Sequence, residues 1–219
     1  ASYGSFKTNA LDRWFQEIDP FREDGYLYAT DKRIIEEKLS AIHQKEKKDG
    51  EFIPKIFIIR PCAISGPRGQ FMYRRFGLLQ MIKYGLEMVP ITGPQAARQF
   101  IHEDDVAEII KMIVKGGIDS DYEVFNIAPL EYILLKDMAK AVGKRTIRIP
   151  MWLGWLGYAF LWHISRGRIP TVPISIKSYT YPIIVDGSKI TKFGFQYKYS
   201  LKDALEAKEG MYKKFIDKA

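Results

Sequence analysis

Apolar residues recur along this chain with two different periods, and their succession predicts a mixed α/β protein. Ile34, Ile35, Leu39 and Ile42 fall at spacings of three, four and seven; with Tyr28 and Lys32 opening the stripe, they predict a helix from about Tyr28 to Lys47. After Gly50 and Pro54 comes a short continuous apolar run, Lys55-Ile-Phe-Ile-Ile-Arg60, ended by Pro61, which suits a parallel strand covered on both faces. Phe71 to Gly85 starts basic, with Arg74 and Arg75, and turns apolar, as a helix or lid would. Met88–Ile91 and Gln99–His102 read as short strands. Val106, Ile109, Ile110, Ile113 and Val114 share one helical stripe, which Gly116-Gly117 stops; Glu103-Asp104-Asp105 in front of it read as a cap and first-turn charges favouring the helix dipole. A strand follows at Glu123–Ala128, then a helix through Leu134, Leu135, Met138, Ala139 and Val142 closed by Gly143, then an alternating strand at Arg145–Ile149. Ser200-x-x-Asp203 has the form of a capping box, opening a last helix with Leu201, Ala204, Leu205, Met211, Tyr212 and Phe215 on its stripe.

Met151 to Trp162 fits neither period. It holds three Trp and no charge, and is too short to span a bilayer. Three readings stay open: a core helix, a wall of the substrate pocket, or a peripheral membrane contact through 151–168 beside Arg166 and Arg168.

Composition changes this picture little. With 219 residues, 47% hydrophobic and 27% charged, the chain can bury a sizeable core. One cysteine excludes an intrachain disulfide and supplies no metal framework. The net charge of +8 is dispersed, and its densest run, Lys45 to Gly50, is mixed in sign; a solvated surface accounts for it, and nucleic acid is not expected as a partner. No signal pattern and no apolar run of membrane-spanning length is visible, so a cytoplasmic enzyme is the default expectation.

Chemistry enters with Tyr28-Ala-Thr-Asp-Lys32. Four residues apart on a helix, the two side chains share a face. An ammonium beside a phenol favours the phenolate, and such a pair can pass a proton to or from a substrate hydroxyl while a hydride moves at the carbon bearing it. The spacing alone is weak, since Tyr132-Ile-Leu-Leu-Lys136 repeats it.

The surroundings of the first pair are more specific. Ser2-Tyr3-Gly4 lies upstream; downstream come the apolar strand, Arg60-Pro61, Gly66-Pro67-Arg68-Gly69 and Arg98-Gln-Phe-Ile-His102-Glu-Asp-Asp-Val-Ala107. In that order they resemble the extended short-chain dehydrogenase/reductase family, the NAD-dependent epimerases and dehydratases. Glu123–Ala128, Asp186-Gly-Ser-Lys189, Phe193-Gly194-Phe195 and Ser200–Leu205 extend the resemblance to nearly the whole chain.

The resemblance implies an α/β fold: the later half of a doubly wound, Rossmann-type parallel sheet with a small mixed α/β substrate lobe. Residues 1–69 would be the later part of the dinucleotide-binding domain and 70–219 mainly the substrate-binding lobe, with 98–128 returning to the nucleotide-binding core. It implies that Tyr28 is the general acid/base, and that Lys32 lowers its pKa and binds the nicotinamide ribose of NAD or NADP. Pro61, Cys62, Ala63 and Ile64, beyond the carboxyl end of a strand, are placed to meet that cofactor. Cys62 has no evident base partner and reads as a packing residue. Arg98 matches the arginine that touches a substrate phosphate, Trp152 and Trp155 fall where relatives line the substrate side, and Tyr132 and Lys136 are structural.

There are departures. No glycine-rich turn of the G-x-G-x-x-G or G-x-x-G-x-x-G type occurs, and the family serine before Tyr-Gly would fall just before Ala1, so the chain reads as the C-terminal portion of a longer enzyme. Ala63 stands where many sugar-nucleotide members have Asn, and Ile174–Ser178 lacks the second arginine that grips a diphosphate. The expectation is an NAD(P)-dependent oxidoreductase or epimerase acting at a hydroxyl-bearing carbon of a hydrophobic or non-nucleotide alcohol or ketone. The alternatives are a sugar-nucleotide epimerase or dehydratase, and a non-catalytic member serving as a binding or assembly module. A small-molecule substrate is the expected partner, and a homodimer stays open.

Overall fold

The helix expected from Tyr28 runs from Leu27 to Asp49 (α1) and stops where Gly50 turns left-handed, φ 70°, its N–H bonding back to the Glu46 carbonyl. The computed structural model describes residues 2–50, 54–67, 87–141, 143–168, 172–206 and 210–211. After α1 come β1 (Ile56–Pro61), β2 (Ala63–Ser65), β3 (Met88–Ile91), β4 (Ala97–Arg98), β5 (Phe100–His102), α2 (Glu103–Val114), β6 (Tyr122–Ile127) and β7 (Ile133–Leu134). The chain continues through α3 (Leu135–Ala141), β8 (Arg145–Arg148), α4 (Met151–Ile164), α5 (Ile176–Thr180) and α6 (Leu201–Glu206). Arg68-Gly69, the helix or lid at Phe71–Gly85 with Arg74 and Arg75, Val142, and Tyr212 and Phe215 of the last stripe lie outside the described residues.

β1 pairs parallel with β6 over six residues, from Ile56 opposite Tyr122 to Pro61 opposite Ile127, and β2 pairs parallel with β5. β3 pairs parallel with β8, and β4 pairs antiparallel with β7. Beneath β6 and α2, Ile101, Ile109, Phe125, Ile127, Ile190 and Phe195 form one buried cluster. A second joins Val89, Phe100, Leu135 and Met138 with Ala204 of α6. Val185, Ile190 and Phe195 thus pack into the clusters that hold Phe125, Ile127 and Ala128 at and after β6.

The stripe on α2 is narrower than its sequence suggests. Ile109 is fully buried, while Ile110 and Val114 are exposed. The cap is His102, whose Nδ1 accepts from the Asp104 N–H at 3.1 Å. The carboxylates behind it hold the chain's far end instead. Asp105 accepts from the Lys198 and Tyr199 N–H groups, and Asp104 from the Tyr199 hydroxyl and the Met211 N–H. Burial pushes the Asp105 carboxyl above the usual range, and these N–H donors oppose the rise.

Two expectations change. α1 turns polar residues inward beside the small Ala29: His43 is buried with its ring tilted against that of Tyr122 at 5.1 Å, and Glu36 reaches Arg60, whereas Ile34, Ile35 and Ile42 are exposed. The reason lies in β1 and β6, which offer α1 an arginine and a tyrosine. Met151–Ile164 is helical but is not a core helix, because Gly154 is its sole buried residue.

Candidate active site

Tyr28 and Lys32 occupy the first turns of α1. Tyr28 is 56% exposed, and the Lys32 Nζ stands 5.6 Å from the centre of its ring. Tyr132 and Lys136 share no helix, since Tyr132 precedes β7 and Lys136 belongs to α3. Tyr132 packs edge-on against Trp14 at 6.3 Å. Only the first of the two sequence pairs is a same-face pair.

Tyr26, the residue before α1, extends the site. Its ring lies 6.0 Å from that of Tyr28. Burial pushes the Tyr26 phenol up, and the neighbouring Tyr28 and Tyr179 phenols add to the rise. Tyr179, from α5, in turn carries Arg98, whose guanidinium carbon sits 4.6 Å from the ring centre. Arg98 also donates from Nη1 to the Ala97 carbonyl at 2.9 Å. Tyr158 of α4 meets Tyr179 edge-on at 5.7 Å, and burial raises its phenol, Tyr179 adding and Arg98 opposing. Ahead of α1, Gly25 packs closely on Ile174, just before α5; a Cβ there would come within 2.5 Å of Ile174 Cδ1. Tyr26 and Tyr28 thus stand beside Lys32, and Tyr179 holds Arg98.

Beneath this surface lies a fixed polar network. The Tyr3 hydroxyl donates to Asn126 Oδ1 (2.8 Å) and accepts from Arg60 Nη1 (2.7 Å), and Arg60 grips Glu36 of α1 through Nε and Nη2 at 2.5–3.2 Å. Burial opposes the Arg60 charge, but Glu36 and Tyr3 more than offset it. Asn126 also donates to the Phe15 carbonyl. The family-like residues Tyr3, Arg60 and Asn126 thus hold the helix that bears Tyr28.

At the carboxyl end of β1, Pro61, Ala63 and Ile64 are exposed. Cys62 packs against two core clusters, and burial pushes its thiol far up, away from the thiolate that a nucleophile needs. Trp152 and Trp155 are 63% and 47% exposed on α4 and share no ring contact or hydrogen bond with the Tyr28–Arg98 group among the described residues. Tyr26, Tyr158 and Tyr179 are the site residues that sequence reasoning missed. Their partners lie far along the chain, and no local motif marks them. No group of His, Cys, Asp and Glu suited to a metal occurs among the described residues.

Residues 2–128 match the model of the NAD-dependent epimerase/dehydratase family. The chain belongs to that family. No curated protein matches it. In fold this family member is similar to the dTDP-glucose 4,6-dehydratase of Bacillus anthracis, solved with NAD (TM-score 0.60, 15% identity, 99% of this chain and 59% of that one). It is also similar to the UDP-glucose 4-epimerases of Bifidobacterium longum (0.59, 18%, 94% and 59%) and Thermotoga maritima (0.55, 17%, 99% and 60%). The chain spans about 60% of the length of these proteins.

Proposed function

We propose that the protein carries out NAD-dependent epimerisation or dehydration of a sugar nucleotide, through oxidation at a hydroxyl-bearing carbon. The observation that carries this reading is the exposed Tyr28 with the Lys32 ammonium 5.6 Å from the centre of its ring, on the first turns of one helix. Tyr28 takes the hydroxyl proton as its phenolate, the form that the Lys32 ammonium favours, becomes a phenol, and gives the proton back in the reverse step. Bound NAD supplies the hydride acceptor. Exposed Ala63 and Ile64 at the carboxyl end of β1, with Lys32, fit the nicotinamide end of the dinucleotide; the sequence has no glycine-rich turn for its pyrophosphate. Arg98, steadied on the Tyr179 face, presents its remaining N–H groups to a substrate phosphate.

The dTDP-glucose 4,6-dehydratase and the UDP-glucose 4-epimerases of similar fold support a sugar-nucleotide substrate over the apolar alcohol expected from sequence. The apolar reading keeps two observations in its favour: Ala63 in place of Asn, and no arginine in Ile174–Ser178. The deciding assay offers the complete protein with NAD both UDP- or dTDP-glucose and apolar secondary alcohols. The proposal expects turnover of the sugar nucleotide, with Arg98→Ala raising its KM roughly 10–100-fold, the range for losing charged hydrogen bonds. Turnover confined to the apolar alcohols overturns it.

A further inference from the structure

α4 is apolar on both sides. Its inner side docks on the lobe at Gly154, where a Cβ would meet Thr92 Cγ2 at 2.8 Å and Ile176 Cδ1 at 3.1 Å. On the outer side Trp152, Leu156, Phe160 and Ile164, spaced by four, form one stripe with 63, 48, 65 and 67% exposure, and Leu153 widens it at 44%. Isolated exposed apolar residues are ordinary, but a contiguous stripe of five marks a contact surface.

The charge around the stripe identifies what it contacts. No Asp or Glu stands between Asp137 and Asp186, while seven Lys and Arg do. Arg145 and Arg148 are exposed just before the helix, and Arg166 and Arg168 just after it; none of the four has a carboxylate partner among the described residues. A second copy seated on this stripe by twofold symmetry would bring cations against cations. An anionic bilayer surface meets both features, its acyl boundary taking the stripe and its headgroups the arginines, and tryptophan favours that boundary. At 14 residues the helix is about 21 Å long, short of a span of roughly 30 Å, and no helix among the described residues can cross a membrane. We propose that α4 lies in the plane of an anionic membrane surface and docks the protein there. This inference does not depend on the chemistry of Tyr28.

The test is flotation of the complete protein with vesicles of phosphatidylcholine alone and of phosphatidylcholine with phosphatidylserine. The protein should float with the anionic vesicles only and be released by high salt, and brominated lipid should quench its tryptophan fluorescence. Trp152→Ser and Phe160→Ser should each weaken binding about tenfold, and Arg148→Gln and Arg168→Gln about fivefold each. All four side chains are exposed, so unchanged thermal melting will show that the variants fold. Failure to bind anionic vesicles, or binding that survives all four changes, overturns the proposal. So does self-association that Trp152→Ser abolishes without any vesicle binding, which would give the stripe to a second copy.

Discussion

Helices α1 and α4 both carry apolar side chains on their outer sides, yet they do so for opposite reasons. α1 has polar partners beneath it, Arg60 on β1 and Tyr122 on β6, so Glu36 and His43 turn inward and Ile35 and Ile42 are left outside with Tyr28 and Lys32. α4 has an apolar and aromatic footing, Gly154 on Thr92 and Ile176 and Tyr158 on Tyr179, and its outer side is as apolar as its inner one. An apolar period tells that a helix forms; the partner underneath decides which way it faces.

The largest expected effect separates the reactive face of α1 from everything else. Tyr28→Phe should lower turnover by about 10²–10⁴, the usual worth of a positioned proton donor, while NAD binding stays nearly intact. Lys32→Ala should reduce both. Tyr132→Phe, which tests the other sequence pair, should leave turnover nearly unchanged in steady-state assays.

Next comes the inward face of α1. Glu36→Ala leaves the half-buried Arg60 without its carboxylate and should cost about 3–5 kcal/mol in denaturant unfolding. A loss below about 1 kcal/mol would mean that α1 is held by something other than its polar side. Gly154→Val addresses α4 in the same way. Crowding Thr92 and Ile176 should cost about 1–3 kcal/mol and speed amide exchange in α4 before it does so in α1.

The smallest effect concerns capping. Neither α1 nor α4 has a side-chain cap at its start, whereas short α6 has the reciprocal box: Asp203 accepts from the Ser200 hydroxyl (2.7 Å) and N–H (2.9 Å), and Ser200 Oγ accepts from the Asp203 N–H (3.2 Å). The Ser200 hydrogen bonds lower the Asp203 pKa. Its contribution is therefore present above the unfolded value of about 3.9 and is lost as pH falls through the folded one. Stability curves of the wild type and Ser200→Ala should differ at neutral pH and converge in acid.

Much of the architecture was legible because local patterns specify it. The α1 stripe, Gly50 as its stop, the β1 run and the Ser200 box all act over a few residues. The direction of α1 was not legible, because it depends on Arg60, 24 residues beyond Glu36. The cap of α2 was misassigned to the acidic run, since a histidine side chain does the capping and the acids reach residues 198–211. In the site, Tyr28, Lys32 and Arg98 carried motif signals. Tyr179 did not, because its role is defined by a β4 arginine and a tyrosine ahead of α1.

The pairing of residues 3–15 with residues 182–186 has a consequence for synthesis. Asn9 Nδ2 bonds at once to the Gly4 carbonyl and to the Pro182 carbonyl, 173 residues away, and Phe15 exchanges backbone bonds with Ile184 and Asp186. Residues 3–15 therefore leave the ribosome long before the partners that hold them. At about 5–20 residues per second, that interval is on the order of ten seconds or more. Throughout it Tyr3 and Phe15 lack the Val185 side of their cluster. The nascent chain must keep this aromatic pair from misassociating until residues 182–186 have emerged.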